Sequence, residues 1–489
     1  MIISQLILNL LKKKYSWIIF VFLIDISSSI LYAQTVTKVS LSHNFNKPLP
    51  FWHEANQLGL YNNDSHKFST SFVGKKSLFN FGLSTYIIKN KNIKIIIPIG
   101  FVSKSLNNYE LKVGRWVDKL TNESRLSSGS LILSKNSIPI TKISFRTKKY
   151  NKIKILNFKL LINGGLSHGW LSKGKYVKGP LLHEKFIYFK KELKNNKTLS
   201  IGLVHEVMWG GETEIHGQQP QTLHDYIRVF TFSSGSKSSL PQEQKNTLGN
   251  HLGVWDITFT RIRKNLELKL YYQHPFEDGS GAYQYFFDEL KELRFPTKSF
   301  DGLLGIEIIN NKSKIFNILL YEYINTMNQS GSAAASDSTY GWDNYYNHYI
   351  YQSGWVNQNR VIGTPLFTLG SNFGHYSNLN YITNNRIKAH HVGFLGNISK
   401  KIEYKLLMTY SINYGIYYDQ NRFYKENKIY KFNSGLKQFS SLFELNFKNI
   451  WENIDIQISY ANDKGKLLDD AKGIILKFNY NLRHLSYSQ

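Results

Sequence analysis

The sequence contains no cysteine, and beyond residue 33 it has no apolar run long enough to cross a membrane as a helix. Without cysteine there are no disulfides, which fits an exported protein whose stability comes from closure of a sheet. The lack of long apolar runs argues against a helical membrane protein, because a spanning helix needs about 20 such residues. A repeat of about 40 to 50 residues, expected of a β-propeller, is also absent.

What the chain does contain is a period-two alternation of apolar and polar residues. It is clear over 454–460, where Ile454, Ile456, Ile458 and Tyr460 alternate with Asp455, Gln457 and Ser459. It recurs over 266–272 and 474–482. Successive side chains of a strand face opposite ways, so one face of each strand is apolar and the other polar.

The connectors between these strands alternate between short and long. Brief turns are predicted at 263–265, 310–314, 397–401 and 448–453, and long connectors at 273–301, 325–386 and 414–438. This pattern predicts an all-β fold, a transmembrane antiparallel β-barrel of the outer membrane with long extracellular loops. At about 9 to 11 residues per strand, some 420 residues accommodate roughly 16 to 18 strands. A mean hydropathy of -0.33 is compatible with this fold, since only alternate positions need to be apolar.

The first 33 residues differ from the rest. Lys12, Lys13 and Lys14 precede an apolar run over 17–24, and Ala33 closes the stretch, which predicts a secretory signal peptide over 1–33. A retained anchor helix is the alternative. Residues 34–67 are predicted to be a short periplasmic segment or a segment leading into the barrel, and residues 68–489 to form the barrel.

The formal net charge of +27 allows two interpretations. A cationic surface would attract acidic polysaccharide or the phosphates of lipopolysaccharide. Alternatively, lysine is enriched together with asparagine and isoleucine, as an AT-rich genome causes, and many lysines lie in solvated turns. Nucleic acid is not an expected partner, because an exported barrel does not meet it.

The densest cluster of unusual residues lies in the longest connector, over 341–355. Aromatic rings there alternate with amide and carboxylate side chains, which suits sugars, because a sugar ring stacks on aromatic faces and its hydroxyls bind polar groups. The alternative is that these rings belong to the interfacial girdle or plug the lumen. The predicted glycan-binding residues are Trp342, Asp343, Asn344, Tyr345, Tyr346, Asn347, Tyr349, Trp355, His274, Glu277 and Asp278.

Motifs of catalysis fit poorly. Glu277 and Asp278 are adjacent and would diverge in an extended segment, so they are unsuited to flank one glycosidic bond. His205-Glu206 begins like a zinc-protease motif, but Trp209 stands where a second histidine is required. For His390 and His391 a structural role is favoured over metal binding. We therefore expect no enzymatic activity, no metal and no cofactor.

Several short stretches together resemble the Wzi-type capsule assembly proteins, from about residue 49 to residue 475. They are Leu49–Gln57, Gly114–Trp116, Leu126–Leu131, Leu181–Lys185, Leu248–Gly253, Tyr271–His274, Phe276–Gly281 and Ile362–Pro365. The resemblance implies an outer-membrane barrel of about 18 strands that acts as a lectin for capsular polysaccharide or exopolysaccharide and helps to assemble or anchor it at the cell surface. It implies no enzymatic activity.

The sequence thus predicts a monomer in the outer membrane, with the polysaccharide, outer-membrane lipids and lipopolysaccharide as partners. The alternative is an outer-membrane porin or glycan transport channel, which would need an open lumen, whereas the aromatic connector over 325–386 is long enough to fold inward. A barrel hydrolase is the third possibility, and it lacks a convincing nucleophile and base.

Overall fold

The computed structural model describes residues 34–44, 48–60, 66–76, 78–89, 92–121, 124–155, 158–277, 301–313, 315–329, 343–370, 381–416 and 431–484. These residues are mostly β-strand. Their helices are α1 (Phe51–Glu54), α2 (Leu223–Thr231) and α3 (Pro241–Lys245). Within this part of the chain, every helix is too short or too polar to cross a membrane.

The strands of the first half belong mostly to one large sheet. They are β1 (Gln34–Asn44), β2 (His66–Lys76), β3 (Phe79–Lys89), β4 (Ile93–Leu106), β5 (Tyr109–Arg115), β6 (Thr141–Thr147), β7 (Asn151–Ile155), β8 (Phe158–Trp170), β9 (Val177–Lys178), β10 (Leu181–Leu193), β11 (Lys197–Trp209), β12 (Glu212–Thr213) and β13 (Gly217–Gln218). Among these, β9, β12 and β13 form a separate small sheet.

The second half continues the same sheet. Its strands are β14 (Asn250–Arg263), β15 (Leu266–Phe276), β16 (Gly302–Asn310), β17 (Ile318–Asn325), β18 (Val356–Asn357), β19 (Arg360–Val361), β20 (Thr368–Leu369), β21 (Ile382–Asn384), β22 (Ile387–Ser399), β23 (Ile402–Gly415), β24 (Lys431–Trp451), β25 (Ile454–Gly465) and β26 (Ala471–His484). Two small hairpin sheets, β18 with β19 and β20 with β21, lie in the longest connector.

The large sheet closes on itself, because β1 pairs antiparallel with both β2 and β26. It contains 19 strand segments, but β6 and β7 both pair with β8 and occupy one position in the wall. The structure is therefore a closed antiparallel barrel of 18 strands, as the sequence predicts.

All long connectors lie at one end of the barrel, which we call the loop end. The strand ends that lie there are those joined by the connectors numbered 45–65, 116–140, 210–249, 277–301 and 326–386. At the opposite end, the turn end, neighbouring strands are joined by two to seven residues, and both termini of the sheet lie there. The predicted alternation of short and long connectors is confirmed.

Strand β17 shows how the alternation divides inside from outside. Leu319 and Tyr321 point outward and are each 37% exposed, whereas Glu322 points inward and is fully buried. In β25 the outward Ile458 and Tyr460 are exposed and the inward Ser459 is buried. Apolar side chains outside and polar ones inside are the reverse of a soluble protein and match a barrel in lipid.

The interior contains the main core. Three connector segments meet there: residues 48–60, residues 124–140, which we call the plug, and residues 343–370, which we call the cap segment. Their apolar side chains, including Leu131, Ile132 and Trp355, are at most 1% exposed. The described parts of these connectors thus fold into the barrel.

One boundary differs from the sequence prediction. Residues 34–44 were expected to precede the barrel, yet they form β1 and occupy the wall between β2 and β26. The alternation of apolar and polar residues is weak in β1. Its inward positions include Ser40 and Ser42, and few of the positions between them carry large apolar residues such as Val39 and Leu41. The predicted signal peptide lies outside the described residues.

Candidate functional site

The plug is attached to the barrel wall far from its own ends. It begins after β5 and ends before β6, whereas Glu322 of β17 accepts hydrogen bonds from the Ser128 amide at 2.8 Å and the Ser128 hydroxyl at 2.6 Å. The Tyr271 hydroxyl of β15 donates to the same carboxylate. Since Glu322 is fully buried, these donors supply the hydrogen bonds that water would otherwise make.

Two further wall residues bind the plug backbone. Gln273 of β15 accepts from the Ser130 hydroxyl at 2.9 Å and from the Leu131 amide at 3.1 Å. His391 of β22 donates through Nε2 to the Leu126 carbonyl at 2.8 Å. The structural role predicted for His391 is therefore specific, since the residue holds the plug. Together with Glu322, these residues bind the plug on the side of the barrel opposite the strands β5 and β6 between which the plug lies in sequence.

The start of the same connector is held by an ion cluster. Arg146 donates to both carboxylate oxygens of Asp118 at 2.8 Å, and Lys142 lies 3.0 Å from Asp118 and also pairs with Glu184. Burial would raise the pKa of Asp118, but Lys142 and Arg146 more than offset it and hold this pKa well below its ordinary value. The connector is thereby fixed at its first turn.

The cap segment lies directly on the plug. The Tyr346 hydroxyl donates to the Leu131 carbonyl at 2.6 Å and accepts from the Thr364 amide at 3.1 Å. Trp355 donates through Nε1 to the Ile132 carbonyl at 2.9 Å. The two segments also approach closely at Gly129, where φ is +117° and a Cβ would lie 2.9 Å from Pro365. Plug and cap segment thus form one packed unit.

Asp301, just before β16, connects this unit to the wall. Its carboxylate accepts from the Asn328 amide at 3.0 Å, from the Gln329 amide and from the Tyr345 hydroxyl at 3.2 Å. Burial raises the pKa of Asp301 to about 6, although the two amides oppose the shift. The attachment of the longest connector therefore includes a buried carboxyl group whose pKa is raised.

The predicted glycan-binding residues fall into three groups. Tyr345, Tyr346, Trp355 and Asn347 are buried in the unit just described, at 7% exposure or less, and His274 is buried in the wall strand β15, where its Nδ1 donates to the Asp301 carbonyl at 3.0 Å. Asp343, Asn344, Tyr349 and Glu277 are half-buried, and Glu277 accepts from the Tyr346 amide at 2.6 Å. Trp342 and Asp278 lie outside the described residues. The buried rings hold the connector together, so in this structure they present no face to a ligand.

A large cavity opens beside this unit at the loop end, and we call it the outer cavity. Its volume is about 850 Å³, and its walls come from residues 48–59, the first residues of β4, residues 136–138, the part of the cap segment from 358 to 369, and residues 463–469. Its floor is buried and largely apolar, with Ala55, Val361 and Phe367. A cavity of this size can hold a small ligand or a short part of a long one.

The rim of the outer cavity is polar and exposed. Lys94, Gln358, Asn359 and Asp469 lie there with side chains open to solvent. Amide groups can both donate and accept, and the two charged groups have opposite signs. The rim can therefore hydrogen-bond to a ligand that is rich in hydroxyls.

Deeper in the outer cavity, charged groups are paired and one ring is accessible. Glu54 forms an ion pair with Arg360, and Asp463 accepts from the Phe51 amide at 2.6 Å. The Phe51 ring is half-buried and lines the cavity, and its edge meets Trp52 at 5.0 Å between ring centroids. Phe51 is thus held by its own backbone and presents a ring to the cavity.

Sequence reasoning did not place any binding residue in the outer cavity. A signal was available, because Phe51 and Glu54 lie in the stretch Leu49–Gln57, one of those on which the family resemblance depends. The partner Arg360 is 306 residues away in the sequence, and periodicity gives no means of joining such distant positions.

Among the described residues, no group of three or more histidine, aspartate or glutamate side chains is arranged to hold a metal ion.

A protein-family model matches most of the chain. The family model described as capsule assembly protein Wzi matches residues 52–386. That range includes α1 except Phe51, the plug, the cap segment, and the strands β15 and β17 that bind the plug. No protein with a curated description matches the chain.

Among solved structures, the chain is similar to Wzi of Escherichia coli, described as an outer-membrane protein of group 1 capsule assembly and a carbohydrate-binding β-barrel. The TM-score is 0.57 at 13% sequence identity, with 94% of this chain and 87% of that chain covered. OprD of Pseudomonas aeruginosa also matches, at a TM-score of 0.44, 10% identity and coverage of 93% and 96%. At these identities, the similarity to the first structure establishes the fold.

Proposed function

Because the chain belongs to the capsule assembly protein Wzi family, we propose that it is a lectin of the outer membrane that binds capsular polysaccharide or exopolysaccharide and helps attach it to the cell surface. The family and the barrel fold place the protein in the outer membrane. In such barrels the short turns face the periplasm and the long loops face outward, so the loop end meets the polymer.

The observation that carries the proposal is the composition of the outer cavity. It combines an accessible ring, Phe51, with the amides of Gln358 and Asn359 and with charged groups of both signs. A sugar ring has an apolar face that stacks on an aromatic ring, and its hydroxyls bind amides and carboxylates. About 850 Å³ is enough room for a short run of sugar units of a longer polymer.

The plug and the cap segment inside the barrel favour binding over diffusion as the function. A porin needs a continuous aqueous path, whereas here the plug is attached to wall strands opposite its ends and the cap segment packs on it. Diffusion of small solutes stays the alternative function, and it predicts a steady conductance. The proposal includes no catalytic step, and the carboxylates of the outer cavity act in it as binding groups.

The test is binding of the purified, refolded barrel to the surface polysaccharide of its own host, beside unrelated glycans. Phe51→Ala should weaken binding about fivefold, because an aromatic stacking contact contributes about 1 kcal/mol. The loss should persist at high salt, since stacking is not screened. The matched control is Phe316→Ala, an exposed ring near the turn end, which should leave binding unchanged.

Folding of each variant is checked by the difference in gel migration between unheated and boiled samples. Equal binding by Phe51→Ala and the native protein at every salt concentration would remove the outer cavity as the site.

A second contact is proposed at the half-buried members of the residue set predicted from sequence, with Tyr349 as the ring and Asp343 and Asn344 as polar groups. Tyr349→Ala should then weaken binding while gel migration stays native. Trp355→Ala is the contrasting change, because this buried ring supports the plug, so its loss should loosen the interior first.

A further inference from the structure

Helix α2 lies outside the barrel, on the lipid-facing side of the wall. The outward residues of β10, β11 and β14 near the loop end include His183, His205 and His251, which are at most 3% exposed. They are covered by the connector 210–249: the Tyr226 hydroxyl is 3.2 Å from His183 Nδ1, and the Phe232 ring lies 4.9 Å from His205 and 4.6 Å from His251.

The helix runs around the circumference of the barrel. Tyr226 contacts His168 of β8 at 5.8 Å, Phe230 contacts His183 of β10 at 5.5 Å, and Phe232, at the helix end, contacts β11 and β14. Successive residues thus pass over successive strands. A capping box at Thr222 and Asp225 fixes the start of the helix.

The helix lies just above the apolar band of the wall. On β10 the outward residues that follow the covered His183 towards the turn end are Lys185, then the exposed Ile187 and Phe189. Ile201 of β11 and Ile257 of β14 continue this band. Lys185 donates to the Phe230 carbonyl and lies over the Phe230 ring, so the helix edge that carries Phe230 is nearer the membrane centre.

That edge is apolar and exposed. Leu223, Ile227 and Phe230, spaced four and three residues apart, form one stripe and are 77%, 51% and 42% exposed. Buried Asp225 and Val229 face the barrel. The polar residues His224, Arg228 and Thr231 occupy the remaining side. A helix with an apolar stripe, a polar stripe and a position at the edge of a lipid-facing band has the design of an interfacial helix.

We propose that the Leu223–Ile227–Phe230 stripe is embedded among the acyl chains of the outer leaflet, so that α2 anchors the connector 210–249 to the membrane surface. The stripe continues the lipid-facing band of β10, β11 and β14, so the molecules that cover the stripe are lipids. The inference depends on the fold and the membrane location and is independent of polysaccharide binding.

The chain contains no cysteine, so each single substitution creates one labelling position. Ile227→Cys, on the apolar stripe, and His224→Cys, on the polar side of the same helix, are labelled with a nitroxide in the full barrel. Ile257→Cys, an outward residue of β14, is the lipid-facing reference. The protein is reconstituted in vesicles of phosphatidylcholine and phosphatidylglycerol, and folding is verified by gel migration.

Collision rates are measured with oxygen, which concentrates among acyl chains, and with a water-soluble nickel complex. The ratio of oxygen to nickel accessibility should be several-fold higher for Ile227→Cys than for His224→Cys and should approach that of Ile257→Cys. If Ile227→Cys fails to fold, Phe230→Cys replaces it.

Two results would overturn the proposal. Equal nickel accessibility at Ile227→Cys and His224→Cys would place the stripe in water. Exclusion of both reagents at Ile227→Cys would mean that protein covers the stripe, with a second copy of the chain as the first occupant to examine.

Discussion

The attachment of the plug to Glu322 provides a direct test of whether the plug closes the lumen. In Glu322→Ala, the carboxylate that accepts from the Ser128 amide and hydroxyl is lost. Each hydrogen bond to a charged group contributes about 1.5–3 kcal/mol, so the two amount to about 3–6 kcal/mol. The Ser128 hydroxyl can rotate to another acceptor, which leaves about 3 kcal/mol as the loss in plug attachment. That loss corresponds to about a hundredfold rise in the ratio of released to attached plug.

The assay is current through single barrels in planar bilayers. The native protein should show rare openings, and Glu322→Ala should show them about a hundred times more often. Glu322→Gln should lie between the two, because an amide keeps one accepting oxygen. Glu403→Gln is the matched control: its carboxylate pairs with Lys448 at 2.7 Å near the turn end, away from the plug, and its loss should leave the current native.

Two outcomes would contradict this reasoning. One is a large steady conductance in the native protein, which would favour the porin alternative. The other is a folded Glu322→Ala barrel whose openings are as rare as those of Glu403→Gln, since the plug would then be held by other contacts alone.

The remaining predictions concern the long connectors. Burial raises the pKa of Asp301 from 3.8 to about 6, so the folded protein favours the protonated carboxyl group. The stabilisation by this group is fully present below pH about 4 and is lost as the pH rises through about 6. The free energy of unfolding should fall by about 3 kcal/mol over this range. Amides 328 and 329 should therefore exchange with solvent faster at pH 7.5 than at pH 4.5 after correction for the intrinsic rate, and Asp301→Asn should abolish the difference. Thr222→Ala removes the capping box of α2 and should cost about 1 kcal/mol, seen as faster exchange over 223–231 and unchanged exchange in β15.

The wall of the barrel was predictable from the sequence because each strand carries its own signal. Outward Ile454, Ile456, Ile458 and Tyr460 are apolar because they meet lipid, and this depends only on neighbours two residues apart. The weakly patterned β1 was missed for the same reason, since its place in the wall is fixed by pairing with β26, more than 430 residues away.

The interior was only partly predictable. The connector 325–386 was expected to fold inward, and the described cap segment does so, but the segment that reaches the opposite wall is the plug. Its Leu126–Leu131 stretch has small residues with no period, and nothing local indicates that Glu322 and Gln273 receive it. Aromatic residues such as Tyr346 and Trp355 suit both a packed interior and a sugar surface, so residue type alone could not separate these roles.

The plug also restricts the order in which the chain can fold. Ser130 and Gln273 are 143 residues apart, and Leu126 and His391 are 265 apart, so the plug is bound by strands that are distant from it along the chain. Once β1 has paired with β26, the barrel encloses its interior. The plug, which is attached to the wall at both ends, would then have to enter through the loop end, past the other connectors. We therefore expect the sheet to curl around a plug already in place. Pairing between strands so far apart in the sequence is slow. Until β1 pairs with β26, a partly curled sheet would expose strand edges without hydrogen-bond partners.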